Sequence, residues 1–312
     1  MHMLRSLLVA GLPLVAAASS VPQLLQTRAS EEHCAIQGAP KGLVRTIVEL
    51  GNKDSLVKTL GNHDSNIKVT VHMHVAQANK TTYATDKVLK QQFNVLKDAL
   101  NIQADQFQPY QDAKYGIDFE LGSIHREINK TIALFSDWRL DDEDFGIIGT
   151  DAAHEDYLKR TKIGTRDTLN VYYYDTIERT AAFCNIANPD RPKSMDWLDG
   201  CQLNINTLPG GTAANRGYGI SLIHEVGHWF GLLHVFQGGC EGEGDYIDDT
   251  PASLVTSADG KCHEGKDTCP DLPGLDPIHN YMDYTTDPCR NTFTKDQKKR
   301  MHDIFWAVRS GN

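Results

Sequence analysis

The stretch His224-Glu225-Val226-Gly227-His228-Trp229-Phe230-Gly231-Leu232-Leu233-His234 holds the most specific information in this chain. On a helix, a four-residue separation puts His224 and His228 on one face, close enough to share a tetrahedral metal. His234 becomes a third nitrogen ligand if the chain leaves the helix at Gly231, where a residue without Cβ takes a left-handed turn that swings the next residues back under the metal. Three neutral imidazoles hold zinc and leave one position for water. Glu225 follows the first ligand and projects beside that open position. A carboxylate there can take a proton from the zinc-bound water and hand it to a leaving amine, while the zinc polarises the carbonyl under attack. The chemistry read from these residues is peptide hydrolysis by direct water attack, with no covalent acyl intermediate. A bare His-Glu-x-x-His arises by chance in unrelated helices; the added bend and third histidine are what lift it above chance. Trp229, Phe230, Leu232 and Leu233 read as core packing around the motif.

The rest of the chain sets the context. Its 312 residues, 40% apolar and 23% charged, leave room for one large or two modest domains with a real core. The net charge is −10, and no basic run is interleaved with aromatics, which argues against a nucleic-acid partner. The imbalance is local: Glu241 to Cys289 holds twelve acids and two lysines. Residues 1–18, with Arg5, an apolar run from Leu7 and a closing Ala16-Ala17-Ala18, form the pattern of a secretory signal peptide. No later stretch reaches the roughly 18 apolar residues of a membrane span. The expectation is a secreted, extracellular protein with no membrane partner. Disulfides persist in that compartment, so the seven cysteines read as bridges with Cys34 left over, and the sequence alone does not choose the pairing. Asn79 and Asn129 each begin an Asn-Lys-Thr glycosylation sequon.

Residues 19–65 mix Pro, Gly and short apolar patches, with a helix expected over Leu43 to Leu50, and read as a pro-segment. Ile67 to Ala76 alternates with period two and predicts a half-buried strand. Thr85 or Asp86 caps a helix over Val88 to Leu100. Ile117 to Leu121 and Leu169 to Tyr174 are further strands, Tyr218 to Leu233 is the helix of the histidine motif, and Thr294 caps a terminal helix with Met301, Ile304, Phe305 and Val308 on one face. His63, His72, His74, His125 and His302 read as lone structural histidines. Strands alternating with helices ahead of the motif, then a stretch with almost no periodicity, indicate an α+β or α/β layer followed by a mostly irregular lobe.

Downstream, Asn280-Tyr281-Met282-Asp283-Tyr284 supplies a methionine where Met282 would form a hydrophobic floor beneath the zinc without ligating it. The combination resembles the long zinc signature and methionine turn of the metzincin metallopeptidases. Within that clan, the wording of the zinc stretch, Gly238-Gly239-Cys240, Asp248-Asp249-Thr250-Pro251, the methionine segment, and Phe293-Thr294 with Gln297 and Arg300-Met301 resembles the pappalysin family, and in particular its secreted fungal extracellular metalloproteases. The resemblance runs from about Ile67 to the C-terminus.

The resemblance implies an α+β fold: a twisted mixed sheet with helices in an N-terminal subdomain (66–231), an active-site helix, and a disulfide-braced, mostly irregular C-terminal subdomain (232–312) ending in a helix. It implies zinc on His224, His228 and His234, Glu225 as general base, and Tyr284 near the oxyanion. It suggests Cys240 with Cys269 and Cys262 with Cys289, leaving Cys184 with Cys201. Bacterial relatives bind calcium in the acidic lobe and prefer a basic residue after the cut, which makes Asp245, Asp248, Asp249 and Thr250 candidate calcium ligands. Oxygen-rich loops suit that ion, although no EF-hand spacing is present. A braced acidic rim that attracts substrate Lys or Arg is the simpler reading of the same residues. The resemblance also places a pro-peptide before the first strand, with Cys34 as a thiolate able to occupy the open zinc position. Here the wording is His33-Cys34-Ala35-Ile36, not the Arg-Cys-Gly of fungal relatives, and an intermolecular disulfide or a free thiol are the other readings. The competing function, a protein-binding module on a retired protease scaffold, would tolerate loss of Glu225 or a ligand histidine, and neither is lost.

Overall fold

In Ile67 to His72 apolar and polar residues alternate, and Val69 and Val71 add the β-branched stiffness that favours extended backbone. The structure, a computed structural model, describes residues 32–34, 38–51, 66–80, 83–100, 116–136, 139–140, 147–148, 151–255 and 261–311. The expected signal peptide (1–18) lies outside these residues, as do all of 19–65 except 32–34 and 38–51. The strands are β1 (Glu32–Cys34), β2 (Ile67–Gln77), β3 (Ile117–Ile128), β4 (Leu134–Phe135), β5 (Arg139–Leu140), β6 (Ile147–Ile148), β7 (Leu169–Tyr174), β8 (Thr176–Ile177), β9 (Thr180–Cys184) and β10 (Cys201–Asn204). The α-helices are α1 (Lys41–Gly51), α2 (Asp86–Leu100), α3 (Lys130–Ala133), α4 (Ala152–Thr161), α5 (Ile220–Trp229) and α6 (Lys295–Ile304).

Six strands form one mixed sheet in the order β1-β9-β10-β7-β2-β3, while β4 with β8 and β5 with β6 make two short pairs. β10, β7, β2 and β3 run parallel, β9 runs antiparallel to β10, and β1 runs parallel to β9. β2 is less half-buried than its alternation suggests: after Met73 every residue through Gln77 is buried. The reason is its place between β3 and β7 with helices on both faces, the situation that makes inner parallel strands apolar throughout. On one face Val69, Val71, Met73 and Val75 pack with Leu89, Phe93 and Leu96 of α2 and Leu222, Ile223 and Val226 of α5. On the other, Ala76, Tyr172 and Tyr174 pack with Tyr157 and Leu158 of α4.

The described parts of the N-terminal segment, 32–34 and 38–51, pack against the rest of the fold. β1 is the edge strand beside β9, with Cys34 opposite Ala182, and α1 buries Leu43, Ile47 and Leu50 against Leu233, Ile304 and Val308. After α5 no helix follows until α6 among the described residues, and the only ladder contact there is the bridge between Asn280 and Thr292. Disulfides join Cys240 to Cys269 and Cys262 to Cys289 across this lobe, and Cys184 to Cys201 between β9 and β10. Thr294 starts α6 with a reciprocal capping box to Gln297, which satisfies two otherwise orphaned N–H groups. The chain then widens into a π-helical turn (Phe305–Arg309) that delivers Arg309 into the interior. Its guanidinium lies 3.7 Å from the Trp229 ring centre and donates to Trp229 O (2.6 Å) and to both oxygens of Asp199. Burial works to raise the Asp199 pKa, yet Arg309, Lys162 and Arg191 together hold it below the usual carboxylate range.

Three histidines that look isolated in sequence meet on β2 and β3. Register sets His74 opposite His125, and Ser123 Oγ lies 2.6 Å from His72 Nδ1 and 2.7 Å from His125 Nε2. Asn170 donates through Nδ2 to Ile163 O, so its Oδ1 faces His74 Nε2 at 3.0 Å and must accept that proton. His74 Nδ1 is then a bare nitrogen, buried without a partner. Burial pushes the His74 pKa down to about 4; His125, His72 and Lys162 add to the effect, and the Asn170 contact opposes it. Because the unfolded value is about 6.5, His74 stabilises the fold fully above pH 6.5, and that contribution is lost as pH falls toward 4. The size is about 3 kcal/mol. At fixed zinc, urea midpoints of wild type should fall more steeply over this window than those of His74→Gln, which keeps only the acid sensitivity of the other buried histidines; parallel curves would refute the assignment.

Candidate metal centre

Helix α5 is buried from Ser221 to Trp229, and Phe230, Gly231 and the turn after them decide whether its histidines find a third partner. Gly231 has φ of +84°. Its N–H bonds His228 O (2.8 Å) and the N–H of Leu232 bonds Gly227 O (2.9 Å), the paired contacts of a Schellman stop. A side chain at Gly231 would be strained by that φ, and a Cβ there would stand 2.9 Å from Ile304 and 3.3 Å from Leu43. The reversal brings His234 under the helix.

The three Nε2 atoms form a near-equilateral triangle, 3.2 Å for His224 to His228, 3.2 Å for His224 to His234 and 3.1 Å for His228 to His234. His224 Nδ1 donates to Tyr281 O (2.7 Å) and His228 Nδ1 to Leu232 O (2.8 Å). Those carbonyls can only accept, so both rings carry their proton on Nδ1 and turn a lone pair inward. Burial drives the His228 pKa down to about 4, against the contact to the Leu232 carbonyl, and those of His224 and His234 well below the ordinary value; neighbouring imidazoles add to the effect on His224 and His234, and Arg290 to that on His224. Neutral nitrogens at this spacing repel unless a cation lies among them. Tetrahedral zinc with bonds of about 2.0–2.1 Å spaces its ligands about 3.3–3.4 Å apart, so the residues fit the ion. Among the described residues this is the one group of three or more His, Cys, Asp or Glu placed to share a metal.

Glu225, the neighbour of His224, is buried within the same helix. Met282 is fully buried against α5 at Gly227, where any Cβ would overlap its sulfur, so the glycine inside the motif makes room for the floor. Tyr284 is nearly buried, its ring 4.7 Å from that of His234 and 5.7 Å from that of His224. The acidic residues behave differently. Asp245 is buried, its pKa raised to about 7 by desolvation; Oδ1 accepts from Thr250 Oγ1 and Ile247 N, and Oδ2 is buried without a partner. Thr250 directs its hydroxyl to Asp245 and Ile247 O, Asp249 accepts the N–H of Asp296, and Asp248 is exposed. Asp245, Asp248 and Asp249 do not converge on one point. Asn79 is exposed after β2, and Asn129 caps α3 through Oδ1. The backbone of Cys34 lies in β1; its side chain is outside the described residues. Sequence reading missed the Asp287–Arg290 ion pair behind His224, because an i,i+3 acid–base pair in an irregular lobe carries no sign of burial, and the Asp199–Arg309 pair behind Trp229, because no spacing rule links residues 110 positions apart.

Comparison with known proteins gives a consistent picture. Residues 154–305 match the profile of the family described as pregnancy-associated plasma protein-A (Peptidase_M43). An extracellular metalloprotease of Sordaria macrospora is 35% identical over 284 residues, 89% of each chain. One from Colletotrichum graminicola is 38% identical over 248 residues, 78% of each chain. The fold is similar to that of mature mirolysin of Tannerella forsythia, solved with a cleaved peptide (TM-score 0.60, 23% identity, 78% of this chain and 96% of that one). It is also similar to a promirolysin mutant (TM-score 0.64, 21% identity, 89% and 95%).

Gly231→Ala combines backbone strain with crowding, whereas Gly242, also at positive φ (+76°), has nothing within 4 Å of a Cβ and isolates the strain. Left-handed backbone costs a non-glycine residue about 1–2 kcal/mol. Urea unfolding should show Gly242→Ala within that range and Gly231→Ala beyond it, with weaker zinc retention against a chelator only in the latter. Equal losses would mean that the Gly231 turn does not hold His234.

Proposed function

Because the chain belongs to the pappalysin family (Peptidase_M43) and is a zinc metalloendopeptidase, we propose that it is secreted as a zymogen and cuts protein substrates with Glu225 as its general base. The observation that carries this reading is the triangle of inward-facing lone pairs on His224, His228 and His234, with Glu225 next to it in sequence and equally buried. Bound there, zinc supplies a Lewis acid that polarises a carbonyl and lowers the pKa of a water. Glu225 takes one proton as the water oxygen bonds to the carbonyl carbon, and returns it to the nitrogen as the C–N bond breaks. The Tyr284 phenol donates to the oxyanion that forms between these events. Tyr281 O and Leu232 O keep the ligand tautomers fixed throughout.

Secretion is supported by the leader pattern in residues 1–18, by three disulfides and by relatives named extracellular metalloproteases. No helix among the described residues is long and apolar enough to cross a membrane. A preference for a basic residue after the cut rests on the acidic run from Glu241 to Cys289, whose field attracts Lys and Arg side chains. For calcium, the supporting feature is Asp245 Oδ2, a buried carboxylate oxygen without a partner, and melting that falls on EGTA addition is the measurement for that ion. The zymogen reading rests on the docking of β1. It occupies the outer edge of β9, and β9 packs on the zinc helix, so the segment holds a sheet edge to which an extended peptide would otherwise add.

Glu225→Gln keeps the shape and removes the base. Peptide hydrolysis should drop by at least about a hundredfold, with one zinc still bound by metal analysis; undiminished turnover would defeat the mechanism. The unprocessed chain should be inactive towards a peptide library and gain activity when cut within 52–65. If the Cys34 thiolate takes the open zinc position, Cys34→Ala raises the activity of the uncut chain; activity as low as in the uncut wild type excludes that role.

A further inference from the structure

His224 is fixed from two sides. Its backbone belongs to α5, and its Nδ1 donates to the carbonyl of Tyr281 in the turn that carries Met282. The ring can point at a metal only while these two elements, more than fifty residues apart, keep their relation. A second set of contacts crosses between the same two elements. Arg290 Nη1 reaches back to the carbonyls on either side of Met282, Asp283 O at 3.2 Å and Tyr281 O at 3.5 Å, and its Nη2 donates to Asp287 Oδ1 at 2.7 Å. The other oxygen of Asp287 accepts the backbone N–H of Tyr218 at 3.1 Å, two residues ahead of α5, and the Asp287 N–H donates to Asn215 O at 3.0 Å. Arg290 is 6% exposed and Asp287 2%. Zinc helix, His224, Tyr281 carbonyl, Arg290, Asp287 and Tyr218 therefore close into a ring of contacts that returns to the helix it started from.

We propose that Arg290 and Asp287 are positioning residues of the metal centre, holding the turn carbonyl that aims His224 and tying that turn to the entrance of the zinc helix. Neither touches metal or substrate. A planar guanidinium can serve two carbonyls and a carboxylate at once, which a lysine ammonium on a flexible stem cannot reproduce. Asp287 is the counter-charge that lets the guanidinium stay buried, since a buried cation left alone is costly. The orientation of a ligating histidine is set by what its second nitrogen meets, and disturbing such outer partners typically weakens metal binding by about 10–100-fold.

This inference rests on the zinc reading of the histidine triad, and the experiment separates the two. Full-length wild type, Arg290→Met, Arg290→Lys, Asp287→Asn and the double variant Arg290→Met/Asp287→Asn are compared in zinc affinity, by chelator competition, and in the visible spectrum of the cobalt-substituted protein at saturating cobalt. The spectrum reports ligand geometry at full occupancy, which a general loss of stability does not move. Arg290→Met should bind zinc about 10–100-fold more weakly, with shifted cobalt bands, and Arg290→Lys should recover part of both. The double variant, which leaves no unpaired buried charge, should fold at least as well as Arg290→Met and keep the zinc defect; it carries the test if the single variant does not fold. Wild-type zinc affinity and cobalt bands in the double variant and in Arg290→Met would overturn the positioning role alone. A wild-type protein that takes up no zinc would overturn the histidine reading beneath it.

Discussion

Three imidazole nitrogens held 3.1–3.2 Å apart in a dry interior, with lone pairs facing one another, are an unfavourable arrangement for a protein by itself. Carbonyls on the far side of two of the rings prevent the tautomeric change that would put a proton between them. The space is thus complementary to a cation and to little else, and much of the surrounding structure exists to maintain it. Charging the histidines in place of binding a metal is opposed by burial and by their mutual repulsion.

The fold holds this arrangement by bringing distant segments onto one short helix. The sheet supplies an apolar platform against which Leu222, Ile223 and Val226 pack, leaving the opposite side of α5 for chemistry. Beneath it the methionine turn fits only because Gly227 has no side chain. At its C-terminal end the helix stops at Gly231, with Leu43 and Ile304 against the turn and Arg309 donating to the last helical carbonyl region at Trp229. Residues from both ends of the described chain, α1 and the segment after α6, therefore support the same bend. This is why the N-terminal segment matters beyond any role in latency: it packs directly on the element that delivers the third ligand.

Much of this was legible in the residues. The four-residue spacing of His224 and His228 and the glycine before His234 have few structural solutions, and the one adopted is the one they predict. The strands at Ile67 and Leu169, the α2 stripe and the Thr294 cap were equally clear because each is a local signal. Other features were invisible for a physical reason. His72, His74 and His125 read as separate structural histidines, and only strand register shows that they share one face. Ile117 to Leu121 extends to Ile128, since pairing with β2 sustains a strand whose later residues are polar. Of the acidic residues grouped by sequence, Asp245 and Asp249 are directed to different partners and Asp248 is exposed.

The amino-acid sequence by itself determined the local grouping: three histidines, a neighbouring carboxylate and the turn that joins them depend on spacings of a few residues, which covalent geometry and helical pitch control. The tertiary structure decided what holds those groups in place. Which carbonyl takes the His224 proton and which edge of the sheet the N-terminal segment covers are contacts between residues more than fifty positions apart. Such contacts are selected by the collective packing of the whole core, and no local pattern encodes them.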